Sequence, residues 1–367
     1  MLDVYVIYGR YYDFENKQIT IGGIQTYISN LCGVLNDFNL RVHILQQGKT
    51  DDFFCADFVD IRQIEAKNLK QFKKKLRNYF NHNNISNGLI IFASDTMAFD
   101  VRLFGTSIAI QHGVFWDVPL LQPRGVLRGV LSKAKRAFLN IKTLQHINKI
   151  VCVDYNFINW FRSQVEYNVD NITVIPNFTR ISDRIDKSDT VVKIIFARRL
   201  FAYRGTRIFT SAIKKLLTEN LNIFVTIAGV GEDEQWMRDQ LKGFDRVEFI
   251  TYQSQNSLDI HKDKHIAVVP TIGSEGTSLS LLEAMSAQCA VICSNVGGMT
   301  NIVIDNYNGI IIDPNIMSLY HALKKLIDDA KLREFLGKNA YETVQVGFSY
   351  DRWVERWREV IGEIINA

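Results

Sequence analysis

The sequence has little with which to build covalent cross-links or membrane spans. Five of its 367 residues are cysteines: Cys32, Cys55, Cys152, Cys289 and Cys293. Their number is odd, most lie in or near apolar runs, and no pair has zinc-ligand spacing, since Cys289 and Cys293 are not C-x-x-C. This argues against a disulfide scaffold and for reduced, buried thiols in the cytosol. No apolar stretch is long enough to span a bilayer. The first eight residues lack the basic start and long apolar run of a signal peptide and read as a strand. There is no low-complexity segment or short-period repeat. A full G-x-G-x-x-G is missing, and so is an Asp-x-Asp in a metal-site context; Asp328-Asp329 lies on an amphipathic helical pattern and reads as solvated surface. The net charge of +4 is only mildly basic.

What is present is an alternation of short apolar runs with helical patterns. The length is large for one core and predicts two domains. Strands are expected at 4–8, 41–45, 89–92, 108–110, 150–153 and 172–176, with helices between most of them, which is the pattern of a parallel α/β sheet. A polar, charged linker follows over 179–190. The pattern restarts at 192–197 and continues at 224–229, 247–250, 266–269, 290–293 and 310–312. Amphipathic helices fill the tail, the last opening at Tyr350. The fold class is therefore α/β, with two doubly wound Rossmann-like domains facing a cleft: residues 1–178, residues 179–349, and a final helix over 350–367.

The chain is organised around one stretch, Gly273-Ser274-Glu275-Gly276-Thr277-Ser278-Leu279-Ser280-Leu281-Leu282-Glu283-Ala284. It joins a buried strand to a helix. Gly276, Thr277 and Ser278 allow backbone N–H groups to face outward beside a helix N-terminus, a setting that binds phosphate or a polyol. Glu275 and Glu283, eight positions apart, can grip hydroxyls at two points. The alternative is that Ser280-x-x-Glu283 is a capping box and Glu275 an exposed loop acid. Three further features sit at strand ends, where open α/β sheets bind ligands. Gly22-Gly23 lies between the first strand and a helix. His112 follows the strand at 108–110, and could equally be a structural histidine. Arg199 and Arg204 flank the restart of the second domain, a spacing that suits a diphosphate. Arg198, on the opposite side of the strand from Arg199, reads as solvated surface.

Two basic stretches stand out. Arg124, Arg128, Lys133, Lys135, Arg136 and Lys142 are interleaved with Val126, Leu127, Val130, Leu131, Phe138 and Ile141; Lys67, Lys70, Lys73, Lys74, Lys75 and Arg77 accompany Phe72, Tyr79 and Phe80. Such segments bind anionic membrane surfaces, or form solvated helix faces or a nucleic-acid patch.

Taken together, these motifs resemble the retaining nucleotide-sugar glycosyltransferases of family 4, of GT-B architecture. Arg198-Arg199-Leu200 and Arg204-Gly205 resemble that family's Gly-Arg-Leu and Lys-Gly, with arginine replacing both the usual glycine and the usual lysine. Glu275 through Glu283 is similar to its Glu-x-x-Gly-x-x-x-x-Glu element, with Ser278 at a position that is usually glycine. Val174-Ile175-Pro176-Asn177, Gly229-Val230-Gly231, Ser294-Asn295-Val296-Gly297-Gly298 and Asp305-Asn306-Tyr307-Asn308-Gly309 match further landmarks. The resemblance implies that Arg199 and Arg204 hold the diphosphate, that Glu283 binds the ribose, and that Glu275 meets the donor sugar beside the amides of Thr277 to Leu279, with Gly276 also at the donor. It also implies that Tyr252 lies near the base and that His112, with Gly22 and Gly23, borders the donor. The donor would be a nucleoside diphosphate sugar, with UDP favoured over GDP, and no cofactor or metal is implied. A glycan or lipid-linked acceptor, attachment to the inner face of the cytoplasmic membrane, and bacterial surface-polysaccharide synthesis (O-antigen, capsule or lipopolysaccharide) complete the expectation, with no nucleic-acid partner. The alternatives are a non-catalytic nucleotide-sugar or nucleic-acid binder, or another GT-B enzyme such as a sugar-nucleotide epimerase.

Overall fold

In a computed structural model of the protein, the described chain is all but residues 1, 21, 57, 115–125, 165–169, 184–186, 188–189, 254–255, 274 and 367; the side chains at 56, 126–128 and 164 are likewise outside the description. Arg124 and Ser274, both singled out above, lie outside the described residues. The chain divides into two units. One comprises Met1–His112, Gln122–Ile175 and Val354–Ala367, the other Gly113–Leu121 and Pro176–Trp353.

The first unit begins with β1 (Asp3–Tyr8), a short hairpin of β2 (Tyr12–Asp13) and β3 (Gln18–Ile19), and α1 (Gly23–Asp37). It continues through β4 (Arg41–Gly48), β5 (Asp52–Ala56), β6 (Val59–Glu65), α2 (Leu69–His82), β7 (Gly88–Phe92), β8 (Gly105–Gln111), α3 (Val126–Leu144), β9 (Lys149–Cys152), α4 (Tyr155–Gln164) and β10 (Ile172–Val174). The strands form one sheet in the order β10-β9-β8-β7-β1-β4-β6-β5. Every pairing is parallel except β5 with β6. β7, Gly-Leu-Ile-Ile-Phe, is buried along its whole length, as a central strand covered on both faces must be. β5 and β6 fall where no strand was expected, because 52–65 lacks a clean apolar run. β5 is a sheet edge with Phe53, Phe54 and Cys55 exposed. None of the five cysteines is in a disulfide, and Cys55 departs from the expected burial, because an antiparallel strand added at the rim keeps one face in water.

α2 carries most of the second basic stretch. Its Phe72, Leu76 and Phe80 recur every fourth residue and are wholly buried. Lys73 donates to the carbonyls of Ala98 (2.7 Å) and Thr96 (3.1 Å), Lys75 pairs with Glu65 at 3.5 Å, and Arg77 lies over the Phe99 ring. Phe72 and Phe80 are core, Tyr79 is half-buried under the Arg62 guanidinium and half of the cations have internal partners, so most of the apolar surface of this stretch faces inward, with Leu69 exposed.

The second unit runs β11 (Val192–Ala197), α5 (Thr206–Thr218), β12 (Ile223–Ala228), α6 (Glu234–Gln240), β13 (Val247–Ile250), β14 (Ile266–Val269), α7 (Leu279–Ser286), β15 (Ala290–Ser294), β16 (Ile310–Ile312), α8 (Ile316–Asp328), α9 (Ala330–Gly347) and the first turn of α10 (Tyr350–Ile365). Its six strands are all parallel, in the order β13-β12-β11-β14-β15-β16. Alternate residues of β11 enter different layers. Ile194 and Phe196 pack with residues of α5 and α8, while Ile195 and Ala197 pack with residues of α7 and α9. Gly205 is fixed by both shape and space, having φ +84° and standing where a Cβ would lie 2.0 Å from the carbonyl oxygen of Pro270.

The last residues of the chain return to the first unit. Trp357 is fully buried and donates its indole N–H to the Tyr27 hydroxyl of α1 at 2.9 Å. Arg358 pairs with Asp37 at 2.6 Å and Lys149 with Glu363 at 3.1 Å, exposed contacts that add little. Trp357→Ala is expected to destabilise the protein by about 3–5 kcal/mol through the cavity it leaves. Trp357→Phe, which keeps most of the apolar area and loses the hydrogen bond, should cost about 1 kcal/mol. Urea unfolding of the two variants against wild type measures the difference.

Candidate functional site

The strand order of the second unit reverses between β11 and β14, and ligands of open parallel sheets bind outside the carboxyl ends at such a point. β11 delivers Arg198 there, and β14 delivers Thr271 and, five residues past Pro270, Glu275. These side chains meet. Arg198 Nη2 donates to Glu275 Oε2 at 2.7 Å, Arg198 Nη1 donates to Thr271 Oγ1, and Thr271 Oγ1 donates to the same Oε2 at 3.1 Å. Arg204, from the one-turn helix Ala202–Arg204 before Gly205, also donates to Glu275 Oε2. Burial alone would push the Glu275 carboxyl up, but the charges of Arg198 and Arg204 outweigh it and bring the pKa down to about 2. The cluster is a carboxylate held by two guanidinium groups, with one positive charge left over.

This places two arginines differently from the sequence reading. Arg198 is 7% exposed, whereas Arg199 points to solvent, donating to the Tyr203 hydroxyl at 3.2 Å and lying over the Phe201 ring. Adjacent residues do take opposite sides, but the inward one is Arg198. A guanidinium is tolerated in the interior only where acceptors wait for it, and Glu275 and Thr271 supply them. Nothing in residues 198–199 alone distinguishes the two; the partner four positions before Glu275, Thr271, was the missing signal.

The loop carrying Glu275 is fixed by close backbone packing. Gly298 N donates to the Glu275 carbonyl at 2.9 Å, and a Cβ on Gly297, whose φ is +56°, would lie 2.0 Å from that same oxygen. Asn177 Nδ2 donates to the Thr277 carbonyl at 2.6 Å. Thr277 and Ser278 are buried, and α7 starts at Leu279 with Ser278 as its N-cap, so its first-turn amides lack intrahelical acceptors. This start also decides the role of Glu283. Ser280 is inside the helix and cannot cap it, so the capping-box alternative fails. Glu283 instead accepts from Ser257 Oγ at 2.6 Å. Burial pushes its carboxyl up to about 7 against the effect of that hydrogen bond. Tyr252 is close by: burial, followed by the Glu283 charge, pushes its hydroxyl up to about 12.

In the first unit, α1 begins at Gly23 with Gly22 as its N-cap. His112 follows β8. Its Nε2 lies 2.9 Å from the Ala93 carbonyl and its ring meets Tyr27 edge-on. Burial lowers its pKa to about 4, so the imidazole is neutral at pH 7, with Nε2 protonated toward Ala93 and Nδ1 left as an acceptor. Sequence reasoning missed Asp95, a buried carboxyl just past β7 that accepts from Asn140 at 2.8 Å and is pushed up to about 6 by burial. Among the described residues, no three His, Cys, Asp or Glu are grouped to hold a metal ion.

The raised Glu283 pKa has a signed consequence. A carboxyl whose folded pKa of about 7 exceeds the ordinary 4.3 contributes fully below pH 4 and loses that contribution as pH rises through 7. Wild type should therefore lose thermal stability relative to Glu283→Gln between pH 5 and pH 8. Parallel melting curves over that range, recorded without ligand, would mean that Glu283 is already ionised in the native state.

Comparison with known proteins finds similarity to glycosyltransferases. Residues 177–343 match the model for glycosyl transferases group 1. An uncharacterized glycosyltransferase of Methanocaldococcus jannaschii is 25% identical over 223 residues, covering 58% of this chain and 55% of the relative. The UDP-Gal:alpha-D-GlcNAc-diphosphoundecaprenol alpha-1,3-galactosyltransferase of Escherichia coli is 27% identical over 227 residues, covering 53% and 55%. The chain spans about half the length of these curated relatives. Among solved structures, a sucrose-phosphate synthase from Thermosynechococcus elongatus superposes with a TM-score of 0.78 at 16% identity over all of both chains. That likeness shows the fold, which is GT-B. Arg198, Arg204, Glu275 and Glu283 all lie inside residues 177–343, the segment that matches the model for glycosyl transferases group 1.

Proposed function

We propose that the protein is a retaining glycosyltransferase that moves a sugar from a nucleoside diphosphate sugar to a hydroxyl of a glycan or lipid-linked acceptor in bacterial surface-polysaccharide synthesis. The observation that carries the donor assignment is the surplus positive charge of the Arg198–Glu275–Arg204 cluster, beside the first turn of α7. A partly buried site with an unbalanced guanidinium calls for an anion, and a diphosphate supplies one with oxygens for bidentate contacts. Arg204 is the main diphosphate ligand and Arg199 reaches it from the solvent side. Glu283 and Tyr252 take the ribose and base, and Glu275 with the amides of Gly276 to Leu279 takes the sugar. In the reaction, the bond from the anomeric carbon to the phosphate oxygen breaks as the acceptor oxygen attaches on the same face. The departing diphosphate takes the acceptor's proton, and the arginines and helix N-terminus stabilise its charge. The galactosyltransferase relative, named for a UDP-sugar and a diphosphoundecaprenol-linked acceptor, supports UDP as the base and a lipid-linked acceptor.

We place the protein on the cytoplasmic face of the membrane through α3. No described helix is long and apolar enough to cross a membrane. α3, however, exposes Val130 (59%), Leu131 (68%) and Phe138 (65%) with Leu139, alongside Lys135, Arg136 and Lys142. Leu131, Lys135, Phe138 and Lys142 fall on one stripe, and residues 126–144 contain no acid. Four exposed apolar side chains among cations suit an anionic lipid surface.

Two measurements test this reading. Calorimetric titration should show UDP binding to wild type, with a loss of about 1.5–3 kcal/mol in Arg204→Ala and less in Arg199→Ala; equal affinities would remove the diphosphate assignment. Wild type should co-sediment with phosphatidylglycerol vesicles at low salt and release as salt rises, with each exposed cation contributing about 1 kcal/mol. A Leu131/Lys135/Phe138 to Glu variant that binds as well as wild type would show α3 to be an ordinary solvent face.

A further inference from the structure

The two arginines that grip Glu275 are not equivalent. Arg198 is enclosed, with its side chain 5% exposed, its backbone N–H held by the Ala228 carbonyl at 2.9 Å and its two terminal nitrogens engaged by Thr271 and Glu275. Arg204 has a side chain 16% exposed, sits on a single helical turn and lies over the Tyr203 ring. All three donors to the carboxylate, Arg198, Arg204 and Thr271, converge on Oε2. Oε1 takes no hydrogen bond among the described residues and is not among the enclosed unpaired atoms, so it is the open oxygen.

We infer that Arg198 is a positioning residue that fixes Glu275 with Oε2 committed and Oε1 presented to a hydroxyl of the donor sugar, and that it thereby governs recognition of the sugar and not of the nucleotide. The inference rests on the donor assignment above. When a diphosphate arrives, Arg204 can turn part of its fork to the phosphates, because Arg198 and Thr271 keep Oε2 satisfied. Arg198 has no such freedom, since leaving Glu275 would strand both charges in the interior. Arg198 therefore acts on the sugar through Glu275, and the planar fork, not merely the charge, is what sets the carboxylate plane.

The test uses Arg198→Lys, which keeps the charge and loses the fork, and Arg198→Met, which keeps the length and loses the charge. UDP and GDP affinities are measured by calorimetry. Hydrolysis kinetics are measured with whichever of UDP-glucose, UDP-galactose, UDP-N-acetylglucosamine and GDP-mannose wild type cleaves fastest. In Arg198→Lys the nucleoside diphosphate affinity should stay within threefold of wild type while kcat/KM falls at least tenfold. Glu275→Gln should lose a similar factor, and the double variant should be no worse than Glu275→Gln alone. Wild-type kinetics in Arg198→Lys, or losses that multiply in the double variant, overturn the inference and leave the donor assignment standing. A fall in nucleoside diphosphate affinity as large as that of Arg204→Ala makes Arg198 a direct phosphate ligand and also overturns it. If wild type binds neither nucleotide and cleaves none of the four sugars, the donor assignment fails and the inference with it. Should Arg198→Met not fold, the Arg198→Lys result decides.

Discussion

The structure of the second unit turns on one buried carboxylate. Glu275 is ionised in the interior only because Arg198, Arg204 and Thr271 surround one of its oxygens. Each partner is put there by a different element: Arg198 by the end of β11, Thr271 by the end of β14, and Arg204 by the turn that Gly205 allows to pass under Pro270. Removing the acid would leave two guanidinium groups facing each other, and removing Arg198 would leave the acid with Arg204 as its one cation and no charge to spare for an anion. The strand order that juxtaposes β11 and β14 is therefore tied to the electrostatics of the loop between β14 and α7.

The same arrangement separates two carboxylates on one loop-helix unit by environment. Glu275 is pulled down to about 2 by its arginines and Glu283 is raised to about 7 by burial with only a serine for company. One is a fixed charge over the whole physiological range, and the other changes state within it. Carboxyls whose surroundings drive their titrations apart can take separate tasks, and here nine residues of sequence carry both.

Much of this was legible in the sequence because period and residue type agree. The parallel strands appeared as short apolar runs, and the positions of Gly276, Thr277 and Ser278 marked a helix entry that the structure begins at Leu279. Three things were not legible. The choice between Arg198 and Arg199 depends on Thr271, more than seventy residues away, and strand alternation says only that the two differ. The burial of Phe72 and Phe80 in α2 and the exposure of Leu131 and Phe138 in α3 look alike as interleaved basic-apolar patterns; only packing partners separate them. β5 and β6 escaped because an edge hairpin with Asp52, Asp60 and Arg62 in it carries no buried run, being half in water by construction.

The return of residues 354–367 to the first unit has a kinetic side. Trp357 meets Tyr27 across 330 positions of chain. During synthesis the first 175 residues emerge long before their closing piece exists, and the intervening unit, whose own residues are nearly contiguous, can reach its native packing earlier. Until residues 354–365 have emerged, the side of α1 that carries Tyr27 stands uncovered, an apolar patch awaiting a helix made more than 300 residues later. The interval between translation of Tyr27 and of Trp357 is the window in which the first unit is most exposed to misassembly.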